Sequence, residues 1–228
     1  MKTRFVLVAA LLLFVLAFVG SVGAQVITSD PNLPVLFPPG YYTNLTGPGP
    51  GSTYNGSGLT IVLSGQQIRA PSLIARLPSG PDELEVFNVD FTAGISVNGS
   101  PVQPSSGSGQ GQYVVHGKTG NTTGSFNTEM LSLNLNNISP FGPYMLRESP
   151  TLLSFGQTTI TDLGGGQFRI DSFFDVFTEL SVDGGNSWIP SSGPQHITLE
   201  QVPEPSTLAL AGLSVGLLAL ARSRRQHA

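Results

Sequence analysis

The chain has 228 residues with 10 Lys and Arg, 14 Asp and Glu and a net charge of −4, but five of the ten cations lie at its two ends. Residues 25 to 201 keep Arg69, Arg76, Lys118, Arg147 and Arg169 against thirteen acids, a net of −8, which disfavours nucleic acid as a partner. No cysteine is present, so disulfides, thiol nucleophiles and Cys-zinc sites are excluded, and 28 Gly with 18 Pro point to a turn-rich β protein.

In chain order, residues 1–24 predict a secretory signal peptide. Basic Lys2 and Arg4 precede an apolar run from Phe5 to Val19, and small residues follow from Gly20 to Ala24. The spacing predicts cleavage by signal peptidase between Ala24 and Gln25. Residues 25–58 read as a Pro/Gly-rich lead-in with at most one edge strand, because Pro38-Pro39-Gly40 and Gly47-Pro48-Gly49-Pro50-Gly51 forbid a long helix.

Residues 59–201 predict one all-β domain, an antiparallel β-sandwich of jelly-roll or Ig-like kind. Phe87, Val89, Phe91, Ala93, Ile95 and Val97 alternate with polar residues, the period of a half-buried strand. Leu84 and Val86 fall in the opposite phase, which predicts a bulge or break near Val86-Phe87. Short strands are expected at 59–63, 113–115, 131–135, 158–160 and 197–199, with loops between them such as Pro104 to Gly109. No helix is evident among them, which favours the sandwich. No repeat at a propeller or solenoid period is found.

From Gly164 to Pro190, Phe168, Ile170, Phe174, Val176, Leu180 and Val182 share one phase and Arg169, Asp171, Asp175, Glu179 and Asp183 the other. This is a strand with an apolar and an acidic face. A helix also fits Phe173, Phe174, Phe177 and Leu180, but the aromatic content and the turn that follows favour the strand. That turn is Asp183-Gly184-Gly185-Asn186. Around it, Ser181, Asp183, Gly185, Ser187 and Trp188 resemble a single Asp-box hairpin, and the resemblance implies local geometry only: the Asp bonded to turn amides and the Trp packed inward.

Residues 202–228 open with Val202-Pro203-Glu204-Pro205, continue with the apolar stretch 208–221 and end in Arg222, Arg224 and Arg225. Fourteen residues make a helix of about 21 Å against a hydrocarbon core of about 30 Å, so the stretch alone is short for a transmembrane helix. The Arg cluster can snorkel to the headgroups and stay cytoplasmic, which predicts a C-terminal span with the body outside. Gly212 and Gly216 share one face of it, as transmembrane helices often show. Motif, span, Arg cluster and terminal position together resemble the PEP-CTERM sorting signal of bacteria. The resemblance implies an exosortase-like membrane enzyme as processing partner, a transient or stable membrane anchor, and a destination at the cell surface or in the extracellular matrix. Residues 147–199 are similar to a segment found in exported bacterial proteins with such a tail, which supports export and implies no chemistry.

Catalytic constellations are missing from the pattern. His116 and His196 have no second ligand at a recognisable spacing, so no metal or other cofactor is expected, and no nucleophile elbow, phosphate loop or dinucleotide fingerprint occurs. Asp171 and Asp175 on one strand lie about 13 Å apart, too far for a glycosidase pair. A carboxylate from another strand could still approach one of them, or join Asp183 on calcium. Sequons at Asn44, Asn55, Asn98, Asn121 and Asn137 are expected by chance in a chain rich in Asn, Ser and Thr. Three readings follow: a non-catalytic structural or matrix protein; a carbohydrate-binding module in which Trp188, Tyr41 and Tyr42 stack on an exopolysaccharide; and a secreted hydrolase, which needs two carboxylates together in a cleft.

Overall fold

The structure, a computed structural model, describes residues 25–44 and 52–202. The signal segment and the C-terminal apolar stretch lie outside the described residues. Within them the chain is all-β, as its alternation predicts, and no helix is present. The strands are β1 Gln25–Thr28, β2 Gly40–Thr43, β3 Ser52–Gly56, β4 Leu59–Ser79, β5 Asp82–Val97, β6 Gln103–Val115, β7 Gly124–Ser139, β8 Gly142–Glu148, β9 Ser154–Gly164, β10 Gln167–Val176, β11 Thr178–Ser181, β12 Ile189–Pro190 and β13 Gln195–Gln201.

All belong to one sheet, and its antiparallel pairings close into a ring: β2 to β4, β4 to β5, β5 to β6, β6 to β7, β7 to β9, β9 to β10, β10 to β13, and β13 back to β2. At one level the staves are β2, β9, β10 and β13. At the other, β3 pairs β4, β8 pairs β7 and β11, and β12 pairs β11, with a bridge from Tyr54 to Ser191 completing the circuit. Each stave neighbours its successor in sequence, which makes an up-and-down barrel of eight staves, four of them interrupted. The two-sheet sandwich is thereby corrected. Strand spacing cannot distinguish a stacked pair of sheets from one closed sheet, and the ring depends on strands in a region that composition marked as lead-in. Residues 25–58 supply β1, β2 and β3, and β1 pairs β10 beside β13.

An eight-stranded barrel is just wide enough for side chains to fill. Inward residues do so: Phe87, Val89, Phe91 and Ile95 on β5, Leu133 and Leu135 on β7, Ile170 and Phe174 on β10 are all buried. Phe87, Tyr113, Phe174 and Tyr42 form a chain of tilted rings across the interior, with centroids 5.4 to 5.6 Å apart. The segment 167–181 is extended, not helical, with Ile170, Phe174, Val176 and Leu180 inward; Val182 lies past the strand and is exposed.

Two local expectations change. β5 runs unbroken, so Glu85 takes the inward phase and Leu84 and Val86 do not; the irregularity opposite Val86-Phe87 sits in β4, between Leu73 and Ala75. β4 also slips at Ser64/Gln67, where Gly65 has φ +57°, and at Arg69/Ser72, where Pro71 has no N–H for the ladder. Second, Pro104 to Gly109 belongs to β6 and is no loop. Its inward positions carry little or no side chain because β7 passes close: a Cβ on Gly109 would lie 1.8 Å from the Asn134 carbonyl oxygen.

Candidate functional site

The staves give the barrel two ends. At one, β13 finishes at Gln201 opposite Gly40, near the turns joining β4 to β5 and β9 to β10. The Val202 amide donates to the Pro39 carbonyl at 2.7 Å, so the last described residue is tied to the start of β2. Gln25 opens β1 opposite Asp171. Ala24, the remaining sorting residues Pro203, Glu204 and Pro205, and Arg222, Arg224 and Arg225 lie outside the described residues.

The opposite end carries the 182–188 turn. Leu180 pairs with Ile189, and Gly184 and Gly185 adopt φ +73° and +91°, which only glycine takes without strain. Ser181 Oγ donates to Asp183 Oδ1 at 2.7 Å and accepts the Gly185 amide at 2.9 Å. Asp183 Oδ1 accepts the Ser187 amide at 2.9 Å, and its Oδ2 accepts the Ser187 hydroxyl at 2.5 Å. These bonds, from Ser187 first and Ser181 next, hold the Asp183 carboxyl down at about 2. Trp188 is half-buried: its Nε1 donates to the Gly185 carbonyl at 3.1 Å, and the Arg147 guanidinium covers its ring at 3.9 Å. Arg147 in turn donates through Nε and Nη2 to Glu179 Oε2, at 2.9 and 2.6 Å.

The three aromatics weighed as a sugar platform do not converge. Tyr42 turns inward from β2, bonded to Ser172 Oγ at 2.8 Å and packed on Phe174, and burial pushes its hydroxyl up to about 12. Tyr41 is its outward neighbour on the same strand, whereas Trp188 belongs to the far turn.

Carboxylates are distributed similarly. Asp171 pairs with Arg169 and Asp175 with His196, at 3.3 and 2.7 Å on the outer face. His116 bonds Asp82 at 3.0 Å. Among the described residues no three His, Asp or Glu side chains gather as a metal site would require. Two carboxyls missed by sequence reasoning are buried. Glu85, wholly enclosed, accepts from Arg76 Nε at 3.0 Å, yet burial and the nearby Glu83 outweigh that cation and push it up to about 9. Its register neighbour Tyr113 has an unpartnered hydroxyl. Glu148 accepts from Ser154 Oγ at 3.1 Å and is raised to about 7, chiefly by burial. A polar residue in the apolar phase of an alternating strand, as Glu85 is, was the available signal.

Two cavities open at the far end. One of about 690 Å³ is a shallow groove lined by Gly65, Gln67, Thr92, Ser105, Ile138 and Pro140, among others. The second, about 370 Å³, is the half-enclosed barrel mouth, walled by Ile61, Ile95, Val97, Phe141, Tyr144 and Val182. Neither is lined by an acid, a histidine or a cation.

Comparison with known families matches residues 201–225 to the PEP-CTERM protein-sorting motif. The chain is thus an antiparallel β protein that carries this motif where β13 ends, and the motif supports export and sorting by an exosortase-type system. No curated protein and no solved structure matches the chain.

Proposed function

We propose that this is an exported cell-surface or matrix-associated protein whose barrel plays a non-catalytic structural or interaction role after sorting by an exosortase-type enzyme. The observation that carries the reading is the sorting motif at 201–225, which begins on the last residue of the last strand, so processing there spares the barrel. Signal peptidase acting at Ala24-Gln25, a membrane span at 208–221 and an Arg stop at 222–225 complete the route in this reading. The non-catalytic role is supported by cavities lined by no acid, histidine or cation and by carboxylates already engaged on the outer face.

A carbohydrate-binding role is the second reading. It draws on Trp188 and Tyr41, which lie on different parts of the barrel, since Tyr42 is committed to the interior, and Arg147 already covers a face of the Trp ring. The test is intact mass of the mature protein from cells with and without the processing enzyme. A chain starting at Gln25 and ending near 203–206 only when the enzyme is present is the expected result. Persistence of 208–228 in both strains overturns processing and leaves a plainly anchored protein.

A further inference from the structure

We propose that the end of the barrel formed by the hairpin of β4 and β5 is a lipid-facing surface, its apolar outer face set against a bilayer while the polar side chains stay inside. β5 changes polarity along its length without a bulge. From Phe87 to Ile95 its inward side chains are apolar, and outward Asn88, Asp90 and Thr92 are polar. Nearer the hairpin the order reverses, with Glu83 and Glu85 inward and Leu84 and Val86 outward.

The reversal extends across three strands. Arg76, Glu85 and Tyr113 stand opposite one another in an inward row, and Leu77, Leu84 and Val114 form the outward row beside it. Val86 lies opposite Ala75 in the next outward row, and Leu77 and Ile74 are 51 % and 48 % exposed. Gln112, opposite Val86, and Glu129, opposite Val114, bound this face. A barrel wall that is apolar outside and polar inside is the pattern strands adopt against lipid, the inverse of their pattern against water.

The place where the chain leaves the barrel identifies the occupant as a bilayer. β2 pairs with β4 at Tyr42 and Ile68 and begins at Gly40, whereas β4 runs on to Ser79, so the hairpin projects past Val202, which is tied to Pro39. From Val202, residues 203–207 span at most about 20 Å before the apolar stretch 208–221 begins. A stretch shorter than the hydrocarbon core draws what flanks it toward the interface. With the membrane span at 208–221, on which this inference rests, the apolar face is held at the lipid surface by its own chain.

The chain has no cysteine, so single cysteines carry spin labels without background. The full chain is placed in lipid nanodiscs as Leu77→Cys, as Ile138→Cys at the far end, or as Leu213→Cys within the apolar stretch. Leu77 and Ile138 are exposed, so neither substitution disturbs the core. Each label's relaxation is read with oxygen, which concentrates in lipid, and with a water-soluble nickel chelate. The oxygen-to-nickel ratio at 77 is expected to be several-fold that at 138 and to approach that at 213. A ratio at 77 no higher than at 138, with a high ratio at 213, overturns the lipid face and leaves the span standing. Low ratios at 77, 138 and 213 alike overturn the span and this face with it. A label at 77 shielded from both reagents and broadened by a second label makes another copy of the chain the occupant and overturns the proposal equally.

Discussion

Glu85 is the residue at which burial and charge conflict most directly. One guanidinium, Arg76, serves Glu85 at 3.0 Å and Glu83 at 3.6 Å, and Glu85 is the enclosed one. Held at about 9 in the fold against about 4.3 when unfolded, it keeps a proton that the unfolded chain releases. The unfolded state therefore binds fewer protons between those values, and stability falls as pH rises from about 4.5 to 9. Glu85→Gln keeps an acceptor for Arg76 and removes the charge to be desolvated. Urea denaturation is expected to show the variant more stable than wild type by about 1 to 3 kcal/mol at pH 8, with no difference at pH 4. Equal stability at both pH values contradicts a neutral, buried Glu85. Glu148, raised to about 7, acts in the same direction and leaves the variant a residual slope below that pH.

At the scale of elements, β6 shows what hydrophobic periodicity misses. The strand is built from small and polar residues, Pro104-Ser105-Ser106-Gly107-Ser108-Gly109, whose composition is that of a loop. Its role is to let β7 approach, and that constraint comes from the neighbour's backbone and leaves no apolar signature in the strand itself. Gly109→Ala places a methyl group against the Asn134 carbonyl and is expected to cost about 3 kcal/mol or more, read from chemical denaturation of the full chain. A cost under about 1 kcal/mol shows that β6 and β7 can separate without penalty. By contrast the Phe87–Val97 strand and the 168–180 apolar phase were legible, because there the inward side chains do the filling themselves. The bulge near Val86-Phe87 was half legible: the phase change in β5 marked the right place, but the extra residue belongs to β4. Of the site, the turn at 183–186 and the sorting motif could be read from local sequence. Glu85 was legible in part, from its place in the apolar phase of β5, whereas the surroundings of Glu148, bonded to Ser154, come from how the strands pair and no local pattern encodes them.

For the whole molecule, closure is the property that spacing could not supply. It rests on short ladders, four residue pairs from β13 to β2 and two from β2 to β4. A ring has no edge strands, and opening one exposes unpaired N–H and C=O groups that recruit other chains. Glu200→Pro, at a position paired with Tyr41, removes a donor at that seam, since hydrogen-bonded pairs alternate along the ladder from Val202–Pro39. It is expected to convert the chain into higher-mass species in size-exclusion chromatography with light scattering, and an unchanged mass shows that the seam does not guard the sheet.

Because Val202 follows directly on β13, any pull on the barrel through the C-terminal sorting segment arrives along that strand. Four rungs to β10 on one flank and four to β2 on the other then bear it together. The joint is loaded in shear, which ruptures its rungs at once, instead of being peeled open one at a time. A barrel held by its sorting segment, as proposed above, is thereby fastened through the arrangement of strand pairs that yields last.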